Sequence, residues 1–214
     1  MKETGLMFKA PLVRAILSGQ KTQTRRICKL ETVTDDTFMG GHYLKLKDGM
    51  NLAIGSENVH IACPTGGPGD RIYVRETWQG PLMSAKEWED HYFSKADELP
   101  SKFKTPAYCK YAADGGAPPE FMTMDDDIVA RWKPSIHMPK WAARIWLEIS
   151  SVRVERLQSI SRGDAMAEGC PFPNMADGED PRDWFAEVWK STGGDWAANP
   201  WVWVIDFKRI EKPR

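Results

Sequence analysis

The sequence is poor in the features that assign a chain to a class quickly. It has no charge surplus: 29 Lys+Arg stand against 30 Asp+Glu, a formal net charge of -1. That balance excludes a histone-like binder, whose affinity would come from wholesale neutralisation of phosphates. No apolar run approaches the roughly 20 residues of a membrane helix, so no membrane association is expected. The N-terminus lacks an apolar core followed by a small-residue cleavage site, so no secretory signal is expected. Four cysteines (Cys28, Cys63, Cys109, Cys170) form no C-x-x-C pair in a chain long enough to bury a core without staples. The expected location is therefore the reducing cytoplasm. His60 and Cys63 are spaced as half a metal site with no second pair to answer them, so no metal or other cofactor is expected. Thr65-Gly-Gly-Pro-Gly-Asp70 lacks the Lys-Ser/Thr of a phosphate loop and reads as a turn.

What is present fits one globular domain over residues 1–214, with 42% hydrophobic and 28% charged residues. The near-zero charge hides a polarised chain. Residues 1–30 hold Lys2, Lys9, Arg14, Lys21, Arg25, Arg26 and Lys29 against Glu3 alone. Residues 164–187 hold Asp164, Glu168, Asp177, Glu179, Asp180, Asp183 and Glu187 against Arg182 alone. These two segments are expected to attract one another across a cleft.

Local patterns give an α+β chain. A short strand at 6–8 leads into a helix at Pro11, which Ser18-Gly19 ends. Lys21 to Arg26 is polar and β-prone, a poor core segment. Tyr43–Lys47 and Met50–Ile54 flank Asp48-Gly49 as a hairpin. Arg71–Glu76 reads as a strand with Ile72, Val74 and Glu76 on one face. Further strands are expected near 108–111, over Trp141–Ile149 extended by Val152 and Val154, and over Trp201–Phe207 with Trp201, Trp203, Ile205 and Phe207 facing one way. Short helices are expected at about 84–92, 162–168 (stopped by Gly169) and 181–190. Several strands with short helices and no βαβ alternation predict a small mixed barrel, with irregular insertions near 31–62 and 80–130.

Three groups could carry chemistry. Lys21-x-x-Thr24 with Arg25 and Arg26 places a hydroxyl near an amine that neighbouring cations or burial would make a better base. The same stretch also reads as a solvated basic turn. Glu168 sits in the last turn of its helix, where the macrodipole disfavours the carboxylate and favours a general acid. It also reads as a surface glutamate. Glu76 points inward, either to substrate or to a structural ion pair with an arginine. Trp78, Trp132 and Trp141 could stack on a base or simply pack, and His137 reads as a packed or hydrogen-bonded histidine.

Together several segments resemble the ASCH family of PUA-like domains, and most nearly its larger phage and prophage members. They are Phe8–Ile27, Cys63-Pro64 with Pro68–Glu76, Pro134–Pro139 with Trp141–Ile145, Asp164–Gly169 and Asn199–Trp203. The resemblance implies a PUA-like mixed β-barrel with a cleft on one side. It also implies an amidohydrolase acting on N4-acetylcytidine-like nucleosides, as in a small bacterial ASCH enzyme. Matched residue by residue, it places the catalytic groups on Lys21, Thr24 and Glu168 and substrate contacts on Arg26 and Thr22 of the same motif; Glu76, from its inward strand position, is the further substrate contact expected. No metal is implied. The partner is a small nucleoside, with RNA as the alternative if the domain is a non-catalytic binding module.

Overall fold

The computed structural model describes residues 1–35, 41–84, 86–87, 89–90, 100–122, 127–171 and 180–213. The fold is α+β and mostly sheet. The strands are β1 (Glu3–Met7), β2 (Gln23–Ile27), β3 (Thr32–Asp35), β4 (Gly41–Lys45), β5 (Asn51–Ala53), β6 (Arg71–Arg75), β7 (Trp78–Gln79), β8 (Lys110–Tyr111), β9 (Glu120–Met122), β10 (Ile128–Ala130), β11 (Trp146–Arg156) and β12 (Trp201–Ile210). The α-helices used below are α1 (Ala10–Leu17), α2 (Arg162–Ala167) and α3 (Pro181–Ser191). A five-stranded sheet has the order β1-β6-β11-β12-β2, and β3-β4-β5, β9-β10 and β7-β8 form smaller sheets. Among the described residues, no helix is long and apolar enough to cross a membrane. Of the helix expected at 84–92, residues 86–87 and 89–90 are helical, and 85, 88, 91 and 92 lie outside the described residues.

The chain divides into two compact units. The first comprises Met1–Thr4, Ala15–Ile72 and Leu147–Ile210. Its core cluster joins Leu157, Ile160, Ala165, Phe185, Trp189, Val202 and Val204, with Trp184 and Trp196 packed against it. Burial of large apolar side chains, worth about 1.5–3 kcal/mol each, thus clamps α2 and α3 onto β12. Strand β2 pairs antiparallel with β12, with Thr24 opposite Ile205 and Arg25 opposite Val204. Strand β12 is buried on both faces over Val202–Ile205, not on one face only as alternation suggested. The hairpin forms as expected: Leu44 lies opposite Leu52, and Gly49 turns the chain at φ +85°.

The segment expected to avoid the core does the opposite. Lys21, Gln23, Thr24 and Arg25 are each 2% exposed. Polar side chains tolerate such burial only when partners replace water, and those partners are described below.

The second unit comprises Gly5–Arg14, Tyr73–Trp146 and Glu211–Arg214. Trp78 and Trp141 meet edge-to-face at 5.6 Å, β7 pairs with β8, and the Tyr111 hydroxyl donates to Ala142 O at 2.7 Å. The strand expected from Trp141 begins only at Trp146. Lys140–Ala142 instead forms a 3-10 turn, its hydrogen bonds closed locally by Ala142 N–H to Pro139 O and Ala143 N–H to Lys140 O. Ala142, Ala143 and Ile145 are fully buried, so their apolar pattern records burial rather than an extended chain.

Candidate functional site

Three local devices bring Lys21 and Glu168 together. Gly19, at φ +78°, turns the chain out of α1, and Lys21 N–H then returns to Ala15 O at 2.9 Å. Ser161 caps α2 by accepting from Asp164 N–H, and Glu168 closes the helix by donating its N–H to Asp164 O at 2.9 Å. Gly169, at φ +101°, lets the backbone pass so close that a Cβ there would lie 3.0 Å from Ala15 Cβ and 3.2 Å from Lys21 Cβ.

Lys21 Nζ donates to Gln23 O at 2.7 Å, to Glu168 O at 2.8 Å and to Glu168 Oε2 at 2.5 Å. Its side chain is wholly buried. Burial pushes the Lys21 pKa down; the Glu168 charge and hydrogen bond oppose this, while Arg26 and Arg25 add to it, and the balance lies below the ordinary lysine value. The other carboxylate oxygen, Glu168 Oε1, is buried and accepts no hydrogen bond. The NH1 group of Arg25 lies 3.6 Å from it.

Around this pair runs a network of charge. Gln23 Nε2 donates to Asp164 Oδ1 at 2.8 Å and to Asp206 Oδ1 at 2.7 Å. Gln23 Oε1 accepts from Arg25 NH1. Arg25 NH2 reaches Glu155 Oε2 at 3.3 Å and Asp164 Oδ2 at 3.4 Å. Arg153 binds Glu155, Asp164 and Asp206 at 2.6, 2.9 and 2.8 Å. The basic opening segment and the acidic later segment therefore meet directly, through Lys21–Glu168 and Arg25–Asp164. Asp177 and Glu179 lie outside the described residues.

The expected site residues divide as follows. Lys21 and Glu168 are in contact. Arg26 lies within reach of the Glu168 charge, which raises its pKa against the lowering effect of burial. Thr24 is buried on β2, and strand alternation sets it on the face shared with Arg26, opposite Gln23 and Arg25. Thr22 is exposed; its backbone donates to Ala167 O and accepts from Phe207 N–H, both at 2.8 Å. Glu76 belongs to the second unit, where both of its oxygens accept from Arg144, at 2.9 and 3.0 Å. Burial raises the Glu76 pKa against those bonds. Arg144 also binds Asp114 at 2.8 Å and stacks 4.0 Å from the Tyr111 ring centroid. His60 Nδ1 pairs with Glu57 O at 2.9 Å, and among the described residues no cluster of three or more His, Cys, Asp or Glu could hold a metal.

Gln23, Arg153, Glu155 and Asp206 were missed from sequence. The signal was a lone acid inside Trp201-Val-Trp-Val-Ile-Asp-Phe207, and alternating Ser151, Arg153 and Glu155 on one strand face.

No family model matches the chain, and no curated protein matches it. Among solved structures it is similar to the crystal structure of an ASCH domain from Lactobacillus crispatus JV V101, at 11% identity and a TM-score of 0.38, covering 99% of this chain and 81% of that one. A likeness that loose carries no weight for function.

Proposed function

We propose that this protein is an ASCH-like amidohydrolase, built on a PUA-like barrel and working in the cytoplasm. It would remove the acyl group from N4-acylated cytosine nucleosides of the N4-acetylcytidine kind. Two things support the reading: the resemblance of the segments from Phe8 to Trp203, and the Lys21–Glu168 contact. One observation carries it: a buried amine with a lowered pKa touches a buried carboxylate whose second oxygen accepts no hydrogen bond. Leaving such an oxygen unpartnered costs about 1–3 kcal/mol, and a proton-transfer role beside Lys21 accounts for its being there.

The reaction closes on proton count. Proton transfer within the pair, from the Lys21 ammonium to the Glu168 carboxylate, gives a neutral Lys21, which takes the proton of the Thr24 hydroxyl, whose Oγ attacks the amide carbonyl carbon. Arg26 stabilises the oxyanion. Glu168 protonates N4, the C–N bond breaks, and the acyl group remains as an ester on Thr24. The site now holds Lys21 as ammonium and Glu168 as carboxylate. Glu168 then takes a proton from water, which attacks the ester, and Lys21 returns its proton to Thr24 Oγ. The acid and the deacylated nucleoside leave, and the pair is restored.

The network favours an uncharged nucleoside over a polyanion, because Lys21, Arg25, Arg26 and Arg153 are matched by Glu155, Asp164, Glu168 and Asp206. The test is turnover of N4-acetylcytidine, followed by the change in cytosine absorbance. Failure to hydrolyse any N4-acylated cytosine, together with salt-sensitive RNA binding, would replace this reading with that of a binding module.

A further inference from the structure

We propose that Arg25 is a positioning residue of this site: its guanidinium, acting through Glu168 and Asp164, fixes the Glu168 carboxylate against Lys21 Nζ. The proposal rests on the amidohydrolase reading and extends it to a residue that the Lys-Thr-Glu assignment leaves without a role.

The geometry is that of a central clamp. The Arg25 side chain is wholly buried on the inner face of β2 and reaches three carboxylates from two other elements. Glu155 belongs to β11, while Asp164 and Glu168 stand at opposite ends of α2. One planar cation thus holds both ends of the short helix that delivers Glu168. Its plane is set from the sides by Gln23 Oε1 and by the Phe185 ring, 5.7 Å from the guanidinium carbon. Gln23 is itself fixed by Asp164 and Asp206, and Asp164 and Asp206 by Arg153. Two atoms of the clamp remain unmatched: Arg25 Nε and Glu168 Oε1 are both buried without hydrogen bonds. The NH1-to-Oε1 distance of 3.6 Å keeps the charge close while leaving that oxygen without a formal bond. A lysine could supply the charge but not the fork.

The charged groups facing Lys21 are Glu168 from α2 and Arg25 and Arg26 from β2. Arg25 acts on Lys21 in the same direction as burial, making the proton easier to lose. Arg25 therefore bears on Lys21 in two opposed ways: its own charge lowers the pKa, while its hold on Glu168 keeps in place the carboxylate that raises it, and a variant that keeps the charge but loses the fork separates the two.

The test uses the full chain with 13C,15N-labelled lysine, with the Lys21 signal assigned by its loss in Lys21→Arg. In Arg25→Lys, which keeps the charge but loses the fork, the Lys21 resonances should titrate at lower pH than in wild type, because Glu168 is no longer held against Nζ, and kcat should fall about 10²-fold at constant KM, as misplacement of a reacting group by an ångström does. Asp164→Asn, which keeps the guanidinium but frees one of its anchors, should lower kcat in the same way. An unchanged Lys21 titration in Arg25→Lys, or full kcat in both Arg25→Lys and Asp164→Asn, overturns the proposal. Absence of turnover by the wild-type protein would instead refute the amidohydrolase reading, and the lysine titration would still decide whether Arg25 governs the pair.

Discussion

Lys21 Nζ lies 2.5 Å from Glu168 Oε2, across 147 residues of sequence, with the Lys21 side chain fully buried and that of Glu168 5% exposed. The contact joins a turn before β2 to the end of α2. It also sets the proton balance of the proposed reaction.

The first expectation concerns that balance. Lys21 loses its proton below its ordinary value of 10.5, chiefly because it is buried. The unfolded chain therefore binds more protons between the folded value and 10.5, and stability rises with pH across that window. Glu168 opposes the shift, so in Glu168→Gln the window opens at lower pH. Urea unfolding at a series of alkaline pH values should show the rise beginning earlier in the variant. At neutral pH the variant should also be less stable by about 3–5 kcal/mol, the cost of leaving a buried charge without its partner. Identical pH profiles would contradict this account of the pair.

A second expectation lies at acid pH. Burial raises the Asp164 pKa, but hydrogen bonds from Gln23 and Ser161 and the charges of Arg153 and Arg25 outweigh it, taking the carboxyl down to about 2 from 3.8. A depressed carboxylate contributes stability above its unfolded value and loses it as pH falls through the folded one. Wild type should therefore lose stability between about pH 4 and pH 2, and Asp164→Asn should lack that part of the loss. Chemical unfolding at pH 5 and pH 2.5 measures the difference.

Gly169→Ala tests the approach of the backbone. A Cβ at φ +101° is strained by about 1–3 kcal/mol, and it would press on Ala15 and Lys21. The melting temperature should fall, and the Lys21 resonances should move even though no charged group has changed. A variant as stable as wild type, with unmoved Lys21 signals, would show that the close packing is unimportant.

In the second unit, Arg144→Met should destabilise the fold by about 3–5 kcal/mol, because it strands the Glu76 carboxylate, which is 1% exposed. Adding Glu76→Gln should recover part of that loss, since the buried charge is then gone. Thermal unfolding of the single and double variants decides it. Equal loss in both would mean that the Arg144 packing on Tyr111, not the ion pair, carries the stability.

Local signals made part of this site legible. Ser161 and Gly169 bracket α2, so Glu168 could be set at its C-terminus from punctuation alone, and the Lys21–Arg26 motif was readable as a group. Burial of that motif was not readable. Its partners Arg153, Glu155 and Asp206 come from β11 and β12, and their meeting depends on sheet register, which no local pattern encodes. The stretch around Trp141 misled for a related reason: apolar alternation reports burial, and Ala142 and Ala143 reach burial through a 3-10 turn closed on Pro139 and Lys140 rather than through a strand. Glu76 showed its inward face in the period of Ile72 and Val74, but its partner Arg144 lies 68 residues away.

The most direct test of the central claim is the rate of N4-acetylcytidine hydrolysis in wild type, Lys21→Ala, Thr24→Ala and Glu168→Ala, each first confirmed as folded by circular dichroism. Wild type should turn the substrate over, and each variant should lose at least about 10²-fold in kcat, as removal of a general base, a nucleophile or a general acid does. Full activity in Lys21→Ala or Thr24→Ala would contradict the roles assigned to them.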